Sequence, residues 1–142
     1  MPIEVKVIER LPTDAGGCDD VQIIKCDGAV YAVFSGYEEE RLVIRMLVFK
    51  DVLAFQYSTQ SAAYRLGDFP DAYDQVVEVV NSKWKQKIDV NPIVQYLKHR
   101  RHFEIFFSNC GLLSVIGHSI EPVIELNVMN MRDAMSRILT GK

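Results

Sequence analysis

Val21-Gln22-Ile23-Ile24-Lys25-Cys26-Asp27-Gly28-Ala29-Val30-Tyr31-Ala32-Val33-Phe34-Ser35 is the stretch that decides the fold. Both flanks are rich in β-branched and aromatic residues, which suit a pleated, half-buried surface. Between them Asp27-Gly28 supplies the positive φ angles that a two-residue type I′ turn demands, so residues 21–35 predict a hairpin. Upstream, Ile3, Val5 and Val7 alternate with Glu4, Lys6 and Ile8, the period of a half-buried strand. Residues 11–20 hold Pro12, Asp14, Gly16 and Gly17 and read as a loop. Downstream, residues 36–40 form the next turn. The run from Arg41 to Tyr57 is rich in Val, Leu, Ile and Phe, with Lys50-Asp51 in its middle. Either two strands meet there or one strand is bent by a bulge.

The second half mixes signals. Residues 58–73 are polar, with Gly67, Asp68 and Pro70 as breakers. Tyr73, Val77, Val80, Trp84 and Ile88 fit one face of a helix. Val76-Val77-Glu78-Val79-Val80 is nearly all β-branched, however, which favours a strand. Asn81-Ser82 then caps a helix beginning near Lys83. Pro92 suits the first turn of a further short helix reaching about Lys98. Phe103–Phe107 and Leu112–Ile116 predict a second hairpin, over 102–118, around Asn109-Cys110-Gly111. Met131, Met135, Ile138 and Leu139 recur at helical spacing before Gly141, a C-terminal helix with its stop signal. The expectation is one α+β domain over 1–142: a mostly antiparallel sheet, one or two helices within 82–98, and a C-terminal helix.

A chain of 142 residues is long enough to bury a core without metal or disulfide staples. A formal net charge of −3 gives no global field toward nucleic acid or an anionic membrane. The opening Met1-Pro2-Ile3-Glu4-Val5-Lys6 lacks the basic and apolar regions of a secretion signal. The longest apolar run, near residues 42–49, is interrupted by Arg45 and is too short to span a bilayer. Cys18, Cys26 and Cys110 are odd in number and widely spaced, which fits a reducing compartment and so a cytoplasmic protein.

Several segments together resemble a family of small bacterial α+β proteins that carry no assigned activity. They are Phe49-Lys50-Asp51-Val52-Leu53-Ala54-Phe55, Val77-Glu78-Val79-Val80-Asn81-Ser82-Lys83-Trp84, His102-Phe103-Glu104-Ile105-Phe106-Phe107 and Leu113-Ser114-Val115-Ile116-Gly117-His118-Ser119-Ile120. The shared features are an Asn-Ser-x-Trp helix start and a His-aromatic hairpin ending in Val-Ile-Ala, with Gly117 here in place of the alanine. The resemblance covers roughly residues 41–120. It implies the fold and transfers no site. Some compact bacterial domains of this kind serve as toxin-immunity proteins, an analogy at the level of fold.

Chemistry concentrates in the second hairpin. With a three-residue loop at 109–111, Ser108 faces Leu112, Glu104 faces Ile116 and His102 faces His118. Directly opposed side chains share a face. His102, His118 and Glu104 then form a polar face, while Phe103, Ile105, Phe107, Leu113 and Val115 point to the core. Two imidazoles and a carboxylate are ligand types for a divalent ion or an acid–base pair, with His99 near in sequence. The simpler reading is a solvated sheet face. A one-residue slip would undo the arrangement.

Lys98-His99-Arg100-Arg101-His102, between Tyr96 and Phe103, is the basic cluster, a composition able to hold phosphates but also that of an ordinary solvated connector. Cys110 at the hairpin tip is an exposed thiol with nothing in the sequence to lower its pKa. Serine elbows, phosphate loops and dinucleotide fingerprints are absent from the sequence. Met129, Met131 and Met135 suit a contact surface or a core. Glu38-Glu39-Glu40 and Asp19-Asp20 offer an acidic face to a basic partner.

These readings favour a non-enzymatic protein-binding domain, homodimeric or toxin-immunity-like, with no cofactor or metal, no membrane role and nucleic acid disfavoured. The alternative is a small metal- or ligand-binding enzyme using His102, His118 and Glu104.

Overall fold

The computed structural model describes residues 4–11, 20–59, 75–89, 100–107 and 110–141. Ten strands and two short helices lie among them. The strands are β1 (Val5–Arg10), β2 (Asp20–Cys26), β3 (Ala29–Glu38), β4 (Arg41–Lys50), β5 (Ala54–Thr59), β6 (Gln75–Val79), β7 (Arg101–Phe107), β8 (Gly111–Gly117), β9 (Ser119–Ile120) and β10 (Ile124–Leu126). The helices are α1 (Lys83–Asp89) and α2 (Met131–Thr140). The described residues are therefore mostly β, with less helix than the expected α+β class carries. The β-branched run at 76–80 resolves the contest there in favour of strand, so α1 begins only after Ser82. The helix expected from Pro92 to Lys98 lies outside the described residues.

The strands form two antiparallel sheets. The first runs β1-β6-β7-β8-β5, and the second runs β10-β4-β3-β2 with β9 also paired to β4. Turn chemistry explains the hairpins. Asp27 and Gly28 take φ of 51° and 80°, the two positive angles of the expected I′ turn, and pair Cys26 with Ala29. The next turn is tighter than residues 36–40: Glu38 pairs with Arg41, leaving Glu39 and Glu40 as the two central residues. The run from Arg41 to Tyr57 splits into β4 and β5, which belong to different sheets. Asp51, at φ 49°, marks the crossing. The Leu53 N–H donates to the Ile116 carbonyl and the His118 N–H to the Lys50 carbonyl, so the outgoing and returning chains brace each other. Strands that change sheet at such a corner close a sandwich along one edge.

Alternation then fills three apolar layers. Val30, Ala32, Phe34, Leu47 and Phe49 of the second sheet meet Val76, Phe103, Ile105, Phe107, Leu113 and Val115 of the first, all buried. Phe34 packs on Phe107 with ring centroids 5.6 Å apart, and Phe49 on Phe103 at 5.7 Å. Each such side chain contributes roughly 1.5–3 kcal/mol on leaving water. On the outer face of the second sheet, Val33, Ile44 and Leu126 receive Ala134, Met131, Met135 and Ile138 of α2. Asn130 caps that helix by accepting the Asp133 N–H, and Gly141 ends it at φ 72° with its N–H on the Arg137 carbonyl. The expected methionine row divides: Met131 and Met135 join this layer, while Met129 is 85% exposed. On the outer face of the first sheet, Val77, Phe106 and Leu112 form a smaller apolar cluster with Val5. Among the described residues, no helix is long and apolar enough to cross a membrane.

Candidate functional site

The outer face of the first sheet carries a buried polar cluster built from four places in the chain. The β7–β8 pairing closes with Phe107 opposite Gly111, so Glu104 faces Ser114 and His102 faces Ile116. This register is displaced by two residues from the one expected from the loop. A shift of two preserves the face, and His102 and Glu104 remain neighbours. The face itself differs from the solvated one expected: His102, Glu104 and Ser114 are buried, with relative exposures of 6%, 3% and 2%.

Ser82 completes the cluster from the start of α1. Its hydroxyl accepts the Lys85 N–H at 2.9 Å, which caps the helix, and lies 2.6 Å from His102 Nδ1. His102 Nε2 is 2.7 Å from Glu104 Oε1, and the Ser114 hydroxyl donates to Glu104 Oε2 at 2.5 Å. One assignment of protons satisfies every member. Ser82 O–H donates to Nδ1, Nε2–H donates to one carboxylate oxygen, and Ser114 O–H donates to the other. Trp84, two residues after Ser82, sets its ring edge-on to the imidazole at 5.3 Å and 82°. The cluster thereby ties the first turn of α1 to the middle of the first sheet.

His118 does not join it. The last β7–β8 pair is Arg101 with Gly117, so His118 lies beyond the ladder at the sheet crossing, exposed. Among the described residues, no group of three or more His, Cys, Asp or Glu side chains is arranged to hold a metal ion. Sequence reasoning identified Ser82 only as a cap and missed Ser114 as a partner of Glu104. The available signal was the company of the supposed polar row, since Phe106, Leu112 and Ile116 share that face and a solvated face rarely carries so many apolar residues.

The basic cluster is only partly within the described residues: Lys98 and His99 lie outside them. Arg100 is half-buried just before β7. Arg101 is committed to Glu78 at 2.8 Å and lies over the Phe103 ring, 4.9 Å from its centroid. The hydrogen bond from Arg101 holds the Glu78 carboxyl below its ordinary value, against the opposing effect of burial, and raises the guanidinium in turn. Cys110, expected as an exposed thiol, is half-buried and packs against the core between the sheets.

A second concentration of polar and apolar groups sits at the β3–β4 turn. Tyr37 and Leu42 face each other across the hairpin and are 50% and 39% exposed. They continue the face of Val33 and Ile44 outward past the apolar layer. Beyond them Glu39 and Glu40 are exposed at φ of 51° and 67°. Glu38 bonds Arg45 at 2.7 Å, and Glu125 approaches Arg41 and Arg45 at 3.8 and 4.0 Å. Compared with protein-family models, with curated proteins and with solved structures, the chain matches none.

Proposed function

We propose that the chain is a protein-binding domain whose recognition element is the β3–β4 hairpin tip, and that its partner presents a basic surface. The observation that carries this reading is the pair of consecutive glutamates held in left-handed backbone at the tip. A non-glycine residue in that conformation costs about 1–2 kcal/mol. Asn-Gly would form the same turn more cheaply, and strain of this kind tends to collect at functional positions. The carboxylates stand next to the exposed Tyr37–Leu42 pair, so an acidic rim adjoins an aromatic anchor, the composition of a binding hot spot with its steering charges. A symmetric homodimer through this tip would oppose like charges, which favours a different, cationic partner. An immunity protein facing a basic nuclease toxin is the familiar instance of such complementarity.

The test is site-specific photocrosslinking in the native host, with the photoreactive residue at Tyr37, at Leu42 and, as a control on another strand, at Lys25. A basic protein crosslinked from the first two positions, and lost in Glu39→Asn/Glu40→Gly, supports the reading. Equal capture from all three positions, or capture unaffected by removing the glutamates, overturns it.

A further inference from the structure

We propose that Ser82 is a nucleophile for acyl transfer, activated by His102 and Glu104. The inference is independent of the hairpin tip. An activated serine needs a base within hydrogen-bond reach and a third group that fixes the base. Both distances are met, at 2.6 Å from Ser82 Oγ to His102 Nδ1 and 2.7 Å from His102 Nε2 to Glu104 Oε1. The ring faces the hydroxyl through Nδ1 and the carboxylate through Nε2, the reverse of the serine-protease order. The chemistry needs one nitrogen with a lone pair and another whose N–H is held, and either order supplies them. Ser114 adds a second donor to Glu104 at 2.5 Å, which fixes the carboxylate against rotation. The Lys85 N–H on Ser82 Oγ occupies one lone pair and orients the hydroxyl, leaving the other lone pair for attack. A purely apolar sheet face would anchor α1 without any of these groups.

In the proposed reaction Ser82 Oγ bonds to the carbonyl carbon of an ester while its proton passes to Nδ1. The imidazolium is held by Glu104. The bond to the leaving alkoxide breaks, and the alkoxide takes the proton from Nδ1. Water then attacks the acyl-serine, giving one proton to Nδ1, and the departing Ser82 oxygen recovers it. The sum is ester plus water to acid plus alcohol. Ser82 is 4% exposed and Trp84 lies against the base, which restricts the proposed ester substrate to a small one with a short acyl chain.

The experiment treats the full chain with a small dialkyl fluorophosphate, following intact mass and then mapping the modified peptide. One adduct on Ser82 is expected, absent in Ser82→Ala. Its rate should fall by about 100-fold or more in His102→Gln, and the rise of rate with pH in the parent should flatten in that variant. Glu104→Gln, nearly isosteric and checked for folding by circular dichroism, guards against loss of structure as the cause and should also slow the adduct. A folded chain that forms no adduct at Ser82 overturns the proposal. So does an adduct that forms as fast in folded His102→Gln or Glu104→Gln as in the parent.

Discussion

Replacing His102 by phenylalanine is the most informative perturbation of stability. The new ring is somewhat larger than imidazole, keeps an aromatic surface against Trp84 and removes both nitrogens. Glu104, 3% exposed, then keeps only the Ser114 hydroxyl, and Ser82 keeps only the Lys85 N–H. Taking a donor away from a buried acceptor costs about 1–3 kcal/mol, and more where the group left behind is charged. Folded domains have only about 5–15 kcal/mol in total, so this one change takes a large part of it. Adding Glu104→Leu removes the stranded carboxylate. What remains is the orphaned hydroxyl protons of Ser114 and of Ser82, the latter common to both variants, at about 1–3 kcal/mol each. The double variant should therefore be more stable than the single one, with an interaction energy of about 2 kcal/mol or more. Urea unfolding reads this directly, and Trp84, the single tryptophan of the chain, reports from the cluster itself. A His102→Phe cost below about 1 kcal/mol, or a double variant less stable than the single one, would refute the reasoning.

Other perturbations test separate parts of the structure. Gly111 has φ 156°, and a Cβ there would overlap the Ser58 carbonyl of β5. Gly111→Ala should therefore cost about 2–4 kcal/mol in denaturant unfolding, whereas Gly28→Ala, with open space around it, should cost only about 1–2 kcal/mol from its left-handed backbone. Glu39→Asn/Glu40→Gly should raise stability by about 1 kcal/mol while weakening partner capture, so thermal unfolding and crosslinking move in opposite directions. For the Glu78–Arg101 pair, the folded carboxyl lies below its ordinary 4.5. Its contribution is complete above about pH 4.5 and is lost as pH falls through the lowered folded value. The stability gap between the parent and Glu78→Gln should hold near neutrality and shrink in acid, as urea midpoints across pH will show.

Local chemistry made much of this fold legible. Asp27-Gly28 specified its turn because few dipeptides accept two positive φ angles, and Gly141 marked a helix end for the same reason. The core row Phe103, Ile105, Phe107 was readable because strand alternation needs only neighbouring residues. Two other features depended on distant parts of the chain. The division of residues 41–57 between sheets requires β8 to cross at the same corner, and nothing within 41–57 encodes that. The tight turn at Glu39-Glu40 was hidden because glutamate is a poor residue for left-handed backbone, so propensity pointed to a longer loop.

The buried cluster shows where alternation stops being informative. A polar residue at every second position reads the same whether water or another element covers that face. His102 and Glu104 were placed on one side correctly because they stand two apart on one strand, and the faces of the partner strand were kept because the error in the hairpin register was two residues. The same error displaced His118, since a ladder closing at Phe107 and Gly111 ends at Gly117 and leaves the next residue on the sheet crossing. What converts the polar row from surface to interior is Ser82-Lys83-Trp84, twenty residues upstream of His102, brought over the face by the turn from β6 into α1. Ser82 is chosen locally as a cap, and its hydroxyl then has one lone pair and one proton left to use. A capping serine followed by tryptophan, ahead of a strand with histidine and glutamate on one face, therefore describes a single cooperative unit. Each piece read alone describes only a helix start and a polar edge.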